Sequence, residues 1–293
     1  MPKRPAPPGL SRFPAPAVVV ASIVSTQIGA TVAFRLFNAV GPGGAVLLRL
    51  GFAAGILAAL WRPRLTGFSR HDYVMAFAFG LTLATMNFAF YEGLSRVPLG
   101  IAVTLEFVGP LGVAVAGSRN ALDVLWVGLA ATGILLLAPW GGLQLNLLGI
   151  GLVLVAGVMW AVYIILSGHV GRRFPGGTGL VLALIVSATL VLPVGVGLAG
   201  TALLNPSVLA AGIVVAILSS AITYSFELSA LRRMPAHVFG VLMSLEPAVA
   251  AGVGLLFLGQ SIGLRAGLAI ACVVAASAGA ANFAKPTTPP LID

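Results

Sequence analysis

The stretch VPLGIAVTLEFVGP, residues 97–110, returns in altered form as MPAHVFGVLMSLEP, residues 234–247. In each copy two prolines stand twelve residues apart, and a glutamate precedes the second proline. The copies are offset by 137 residues, which is about half of a chain of 293 residues. The sequence therefore contains an internal duplication, and each copy carries a carboxylate within an otherwise apolar run.

The composition around these copies is that of a membrane protein. Hydrophobic residues make up 59% of the chain and charged residues only 8%, whereas soluble domains carry about 25% charged residues. The net charge of +9 does not indicate nucleic-acid binding, because Lys and Arg lie in short gaps between apolar runs, as in membrane proteins. The single cysteine, Cys272, excludes an internal disulfide.

Apolar runs of about 20 residues, the length needed to cross a bilayer, recur along the whole chain. We predict ten transmembrane helices at approximately 17–37, 42–61, 73–94, 98–118, 122–140, 147–167, 178–199, 208–229, 236–258 and 262–283. The expected fold is an all-α integral membrane protein, because helices satisfy their backbone polar groups within lipid. Since each copy has an odd number of spans, the two five-helix repeats must be inverted relative to each other, as in many secondary transporters.

The predicted organisation has four parts, and basic residues set its orientation. Residues 1–16 form a cytoplasmic tail, 17–140 the first repeat, 147–283 the second repeat, and 284–293 a second cytoplasmic tail. With the N-terminus inside, twelve Lys and Arg residues fall on the cytoplasmic side and four on the outer side or in the outer ends of spans. The excess predicts that both termini are cytoplasmic. A cleaved signal peptide is a less favoured interpretation of the basic, proline-rich N-terminus.

Four acids fall in the predicted spans or at their ends. We expect Glu106 and Glu246 near mid-depth, Glu92 at the outer end of the third span, and Glu227 at the cytoplasmic end of the eighth. A charge inside the bilayer costs roughly 3–10 kcal/mol, so such residues usually face a cavity or a partner. Pro110 has no N–H to donate to the carbonyl of Glu106, which predicts a local opening of that helix. Either a role in substrate or proton handling or a purely structural kink fits this pattern.

Further polar residues complete a predicted cavity. Arg49 lies within the second span, where it could snorkel outward, pair with an acid or bind a substrate carboxylate. Residues three or four apart share a helix face, which groups the following residues: Asn87 with Tyr91, Trp160 with Tyr163, and Tyr224 with Thr223 and Glu227. Ser25, Thr26 and Gln27 are weaker candidates. Interhelical hydrogen bonding is the alternative explanation for each group.

The chain resembles the ten-helix, EamA-like branch of the drug/metabolite transporter superfamily from about residue 17 to 283. The likeness is carried by MNFAFYEGLSRVPLGIAVTLEFVGPL (86–111), SRNALDVLWVGLA (118–130), WAVYIILSG (160–168) and LSSAITYSFELSALRRMPAHVFGVLMSLEPAVAAGVGLLFLGQ (218–260). One departure is Gly259–Gln260, where members of this branch usually read LGE. That missing acid would lie near a membrane surface, away from the substrate.

The resemblance implies a secondary transporter of the bacterial inner membrane that exports small polar amino acids such as threonine or homoserine. Its implied partners are this small-molecule substrate, the lipid bilayer and, as an open question, protons; no cofactor is implied. Facilitated diffusion or exchange, and other substrates of the superfamily, remain open. An intramembrane enzyme is disfavoured, because no HExxH motif or Ser/His constellation is present, and without a Walker motif ATP-driven transport would need a separate subunit.

Overall fold

The computed structural model describes residues 12–64, 66–97, 99–118, 120–137, 146–246, 248–249 and 264–283. These residues form helices and connecting turns, with no β-strand among them. In chain order the α-helices are α1 (Ala15–Trp61), α2 (Arg70–Leu94), α3 (Leu99–Glu106), α4 (Val108–Gly117), α5 (Ala121–Leu137), α6 (Leu147–Arg173), α7 (Thr178–Ala199), α8 (Pro206–Ala216), α9 (Thr223–Leu231), α10 (Ala236–Met243) and α11 (Leu264–Phe283). A 3₁₀ turn, Gly200–Leu204, precedes α8, and a π-helical segment, Ile217–Ile222, joins α8 to α9.

The first helix, α1, consists of two arms that meet at Gly41. A straight helix of its 47 residues would be about 70 Å long, more than twice the thickness of a bilayer core. Gly41 has φ 67° and ψ 176°, a backbone conformation that glycine adopts readily and other residues disfavour. Gly29 and Arg49 lie on opposite sides of this break, yet both contact Ser219. The two arms therefore fold back beside each other, in agreement with the separate spans predicted at 17–37 and 42–61.

The predicted fourth span is interrupted beside its acid. Helix α3 ends at Glu106 and α4 begins at Val108, with Phe107 between them. This confirms the opening predicted from Pro110, which cannot donate a hydrogen bond to the Glu106 carbonyl. Helix α10 has the same length as α3, eight residues, and ends before a turn at Ser244. Pro247, the second proline of the second copy, lies outside the described residues, as does Gln260.

The surface of the helical bundle has the character of a membrane protein. Five helical stretches of the described residues are long and apolar enough to cross a bilayer: Leu36–Trp61, Arg70–Leu94, Leu147–Arg173, Thr178–Leu204 and Pro206–Leu231. Helix α7 exposes a run of large apolar side chains that includes Leu192 and Val196. A continuous apolar surface of this kind is unusual for a water-soluble protein and typical of a membrane protein. The prediction of an all-α integral membrane protein is confirmed.

Helix pairs approach each other closely at several glycines, as two examples show. Helix α10 approaches α4 closely at Gly240, where an added Cβ would lie 2.4 Å from the carbonyl oxygen of Pro110. Helix α11 approaches α5 at Gly279, where an added Cβ would lie 2.5 Å from the Trp126 ring. Small residues of this kind let membrane helices pack backbone to backbone. Elsewhere α2 packs on α6 and α7, and α1 packs on α7, α8 and α9.

Several arginines tie helix ends together at one end of the bundle, which we call the arginine-rich end. Arg173 Nε lies 2.6 Å from Asp72 Oδ1 and links the end of α6 to the start of α2. Arg232, just after α9, donates to the carbonyl of Gly171 at 2.5 Å, and Arg233 donates to the carbonyl of Phe13 at 2.8 Å. Residues that are far apart in the chain are thereby held together at this end.

Candidate functional site

A cavity of about 180 Å³ lies among α1, α2, α3, α6, α9, α10 and the π-helical segment. Pockets for drug-sized ligands measure roughly 300–1,000 Å³, so this cavity has the size for a small solute. Nine of the ten residues predicted for the substrate or proton pathway line it: Arg49, Asn87, Tyr91, Glu106, Trp160, Tyr163, Tyr224, Glu227 and Glu246. The folded chain thus brings together side chains that are up to 197 residues apart in sequence.

Arg49 reaches from the second arm of α1 to the π-helical segment. Its Nε donates to Ser220 Oγ at 2.8 Å, and its Nη2 donates to the Ser219 carbonyl at 2.6 Å. Its remaining partners are aromatic hydroxyls, Tyr91 Oη at 3.1 Å from Nη1 and Tyr224 Oη at 3.4 Å from Nη2. These contacts fix the guanidinium at the cavity wall, which excludes the outward snorkelling considered from the sequence.

The π-helical segment supplies the backbone geometry for this contact. Its wider turn is visible in Thr223, whose hydroxyl donates at 2.8 Å to the carbonyl of Leu218, five residues earlier. The same carbonyl accepts a hydrogen bond from Ser25 Oγ at 2.7 Å. The Thr26 hydroxyl lies 2.8 Å from that of Thr223, so the first arm of α1 is also fastened here. Such π-helical turns occur frequently at functional sites.

Asn87 and Tyr224 join the two halves of the chain across the cavity wall. Asn87 Nδ2 donates to the Leu83 carbonyl at 2.8 Å and to Tyr224 Oη at 2.9 Å. The ring centroid of Tyr224 lies 5.6 Å from that of Tyr163, and Tyr91 packs edge-on against Phe37 at 4.8 Å. Asn87, Tyr91, Tyr163 and Tyr224 are all buried. The hydroxyl groups are thus held in place by packed rings.

The three acids of the cavity have different partners. Glu227 Oε2 accepts a hydrogen bond from the Tyr163 hydroxyl at 2.8 Å, and Glu246 Oε1 accepts one from Gln27 Nε2 at 3.0 Å. No side chain that the structure describes donates a hydrogen bond to the Glu106 carboxylate, which lies within electrostatic range of Glu246 and Arg49. Glu227 therefore shares one cavity with Glu106 and Glu246.

Trp160 and Glu92 were both predicted for the pathway, but they differ in their position relative to the cavity. Trp160 lines the cavity, and its ring centroid lies 5.2 Å from that of Phe107, the residue at the break between α3 and α4. Glu92 does not line the cavity, and its Oε2 lies 2.6 Å from Nη1 of Arg96, one helical turn away. This ion pair ties Glu92 to a neighbour on its own helix face, apart from the other nine predicted pathway residues.

Sequence analysis missed Ser219 and Ser220 and gave little weight to Gln27. The signal for the serines was their position as adjacent hydroxyl residues in the apolar run AILSSAIT, residues 216–223. Nothing local in the sequence pairs them with Arg49, which is 170 residues away from Ser219. Among the described residues, no cluster of three or more His, Cys, Asp and Glu side chains is arranged to hold a metal ion.

The fold and the cavity define a class: an integral membrane protein whose helices enclose a small polar chamber, with one cationic and three carboxylic groups among its described lining residues. Such groups inside membrane helices are typical of transport pathways. The chain belongs to the EamA-like transporter family, whose sequence profile matches residues 147–281. It is a transporter-family protein, and not a member of an enzyme family.

Relatives with assigned functions extend this match to most of the chain. Two of them are the threonine/homoserine exporters RhtA of Escherichia coli (strain K12) and Salmonella typhimurium (strain LT2). Each is 40% identical to this chain over 264 residues, which are 89% of both chains. A solved crystal structure with 20% identity superposes with a TM-score of 0.74 over 92% of this chain and 97% of its own, and it shows the same fold.

Proposed function

We propose that this protein exports small polar amino acids, with threonine and homoserine as its leading substrates. The observation that carries the proposal is the cavity, which offers a guanidinium, tyrosine hydroxyls and carboxylates within one small volume. A zwitterion needs complementary groups of both signs, and this cavity has them. The names of the two relatives support the choice of substrate, and the size of the cavity argues against drug-sized cargo.

We propose that the chain consists of two inverted five-helix repeats, residues 17–140 and 147–283, with ten spans in total. Alternating access requires two halves that can rock against each other, and these repeats are the halves. Helices α3 and α10 are offset by 137 residues at both ends, since 99 and 106 become 236 and 243. Asn87 and Tyr224 are also 137 residues apart and bond to each other. Residues at equivalent positions can touch only near a two-fold axis, so this contact supports a pseudo-two-fold axis beside the cavity.

The pairing of helices agrees with this symmetry. Helix α4 packs on α10 and α5 packs on α11, as equivalent elements of two repeats related by a two-fold axis would. The turns at Phe107 and Ser244 interrupt both copies at the same offset. Discontinuous helices at corresponding positions are a feature of transporter binding sites near the middle of the membrane. Glu106 and Glu246 flank these two interruptions.

We propose that the arginine-rich end faces the cytoplasm and that the chain resides in the bacterial inner membrane with both termini inside. Of the sixteen Lys and Arg residues, twelve fall on this side in the predicted topology, and the positive-inside rule assigns such a side to the cytoplasm. The ion pair between Asp72 and Arg173 and the contacts of Arg232 would then hold the cytoplasmic ends of the helices together and would have to open to admit substrate.

We also propose that protons move through this cavity in the direction opposite to the amino acid. Three carboxyl groups against one guanidinium would leave an excess of two negative charges if all were ionised, and an uncompensated charge is costly inside a membrane. Proton binding removes that excess. Glu106 is the leading candidate for this role, because no described side chain donates a hydrogen bond to it.

The experiment that tests the substrate uses purified protein in liposomes loaded with labelled threonine. Efflux should exceed that from protein-free liposomes, and external homoserine should accelerate it by exchange. A sugar phosphate or a purine outside should have no such effect, because the cavity has one cationic group among its described lining residues and a small volume. Threonine efflux equal to that of protein-free liposomes would contradict the proposed substrate.

A further inference from the structure

Arg49 forms no ion pair with any acid that the structure describes. The chain has seven acidic residues, and all except Asp293 are described. Arg96 pairs with Glu92 and Arg173 pairs with Asp72. Instead, Arg49 is held by a backbone carbonyl, a serine hydroxyl and two tyrosine hydroxyls, all of which are uncharged. A cation inside a membrane bundle is normally paired with an anion at contact distance. The described cavity carboxylates act on Arg49 only from beyond ion-pair distance, so the carboxylate of a bound solute can take the contact position.

Arg49 and Tyr91 each have a hydrogen-bond donor that can bind such an anion. A guanidinium has five N–H groups, and the second N–H of Arg49 Nη1 has no acceptor among the described groups. Tyr91 Oη accepts from Arg49 Nη1, which leaves its own proton available for donation. Arg49 and Tyr91 both line the cavity. Together they present two adjacent donors, which matches the two oxygens of a carboxylate.

We infer that Arg49 and Tyr91 form the receptor for the α-carboxylate of the substrate and make a free carboxylate a condition for transport. This inference rests on the proposed function, because it assigns an orientation to the exported amino acid in the same cavity. The ammonium group of the substrate then faces the acids of the cavity. The site selects zwitterionic amino acids over their amides and esters, which keep the ammonium group and lose the negative charge.

Ser219 and Ser220 act as positioning residues in this arrangement. They hold the guanidinium from the side of the π-helical segment, through a carbonyl at 2.6 Å and a hydroxyl at 2.8 Å. The guanidinium is therefore oriented before the substrate arrives, which lowers the entropy cost of binding. Because Arg49 comes from the first half of the chain and the serines from the second, a carboxylate at this point contacts a junction between the two halves.

The test compares threonine with threoninamide, which differs from threonine by the replacement of the carboxylate with an uncharged amide. Apparent affinities are measured from the ligand concentrations that raise the thermal unfolding temperature of the purified protein. The wild type should bind threonine at least about 30-fold more tightly than threoninamide, the ratio expected when one partner of a buried charge contact is lost. Equal affinity for the two ligands would overturn the inference and leave the proposed function intact. Binding of neither ligand would count against both.

Two variants and a control show whether Arg49 and Tyr91 cause the preference for threonine over threoninamide. Arg49→Gln should weaken threonine binding at least about 30-fold and leave threoninamide binding within about twofold, so that the preference is lost. Tyr91→Phe keeps the ring contact with Phe37 and removes only the hydroxyl, and it should weaken threonine binding about tenfold. Arg96→Gln removes an arginine outside the cavity lining and should keep the wild-type ratio. If Arg49→Gln does not fold, Tyr91→Phe decides: an unchanged preference for threonine in that variant contradicts the inference.

Discussion

Replacing Gly109 with alanine should disturb the break that carries Glu106, whereas the same replacement at Gly112, on the same helix, should not. A Cβ at Gly109 would lie 2.0 Å from the carbonyl oxygen of Gly157 on α6. A Cβ at Gly112 meets no atom of the described residues within 4 Å. Comparing the two variants separates the effect of close packing between α4 and α6 from the general effect of alanine on a helix.

The size of the disturbance follows from the contact distance. Real Cβ atoms essentially never approach another atom closer than 3.0 Å, so α4 and α6 must separate by at least 1.0 Å at this point. Overpacking of this kind costs about 1–3 kcal/mol of unfolding free energy. Alanine at Gly112 should instead add up to about 1 kcal/mol through helix propensity. Because the shift displaces Glu106 relative to Trp160 and Tyr163, transport by Gly109→Ala should fall by about 10- to 100-fold.

Two measurements on the purified variants check this prediction. Thermal unfolding in detergent should rank Gly112→Ala at or above the wild type and Gly109→Ala below it. The initial rate of threonine efflux, normalised to folded protein in the liposomes, should follow the same order. Equal stability and equal transport in the two variants would refute the packing argument, because only one of them adds an atom to a closed contact.

Two further predictions concern pairs of residues that hold the bundle together. In a double-mutant cycle, Tyr163→Phe and Glu227→Leu should show a coupling of about 0.5–1.5 kcal/mol in unfolding free energy, as expected for a buried hydrogen bond; additive effects would show that the 2.8 Å contact contributes no stability. Asp72→Asn should lower stability by about 1 kcal/mol, because Asp72 accepts from the backbone N–H of Ser69 in a capping box and pairs with Arg173; an unchanged unfolding temperature would contradict this.

The features that were predictable from the sequence are those set by local composition. Apolar runs of membrane length predicted the positions of the long apolar helices, and the gap between the runs at 17–37 and 42–61 predicted the break in α1. Proline geometry predicted the opening beside Glu106, because the missing donor is a property of Pro110 itself. The residue types in the cavity were also predictable, since polar groups in apolar spans have few other uses.

The remaining features depend on contacts between distant parts of the chain. The grouping of Glu227 with Glu106 and Glu246 in one cavity depends on the packing of helices from distant parts of the chain, which hydropathy does not encode. The partners of Arg49 come from residues about 170 positions away, which no local pattern encodes. Of the two acids predicted at span ends, Glu227 lines the cavity, whereas Glu92 pairs with Arg96 one turn away on its own helix.

The central claim is that threonine and protons pass through the cavity that contains Glu106. The most direct test follows labelled threonine efflux from proteoliposomes, with and without an imposed pH gradient, for the wild type and for Glu106→Gln. Glu92→Gln serves as the matched control, because it removes a carboxylate outside the cavity lining. We expect the gradient to accelerate efflux in the wild type and in Glu92→Gln and to have no effect in Glu106→Gln. Efflux that responds equally to the gradient in all three proteins would contradict the claim.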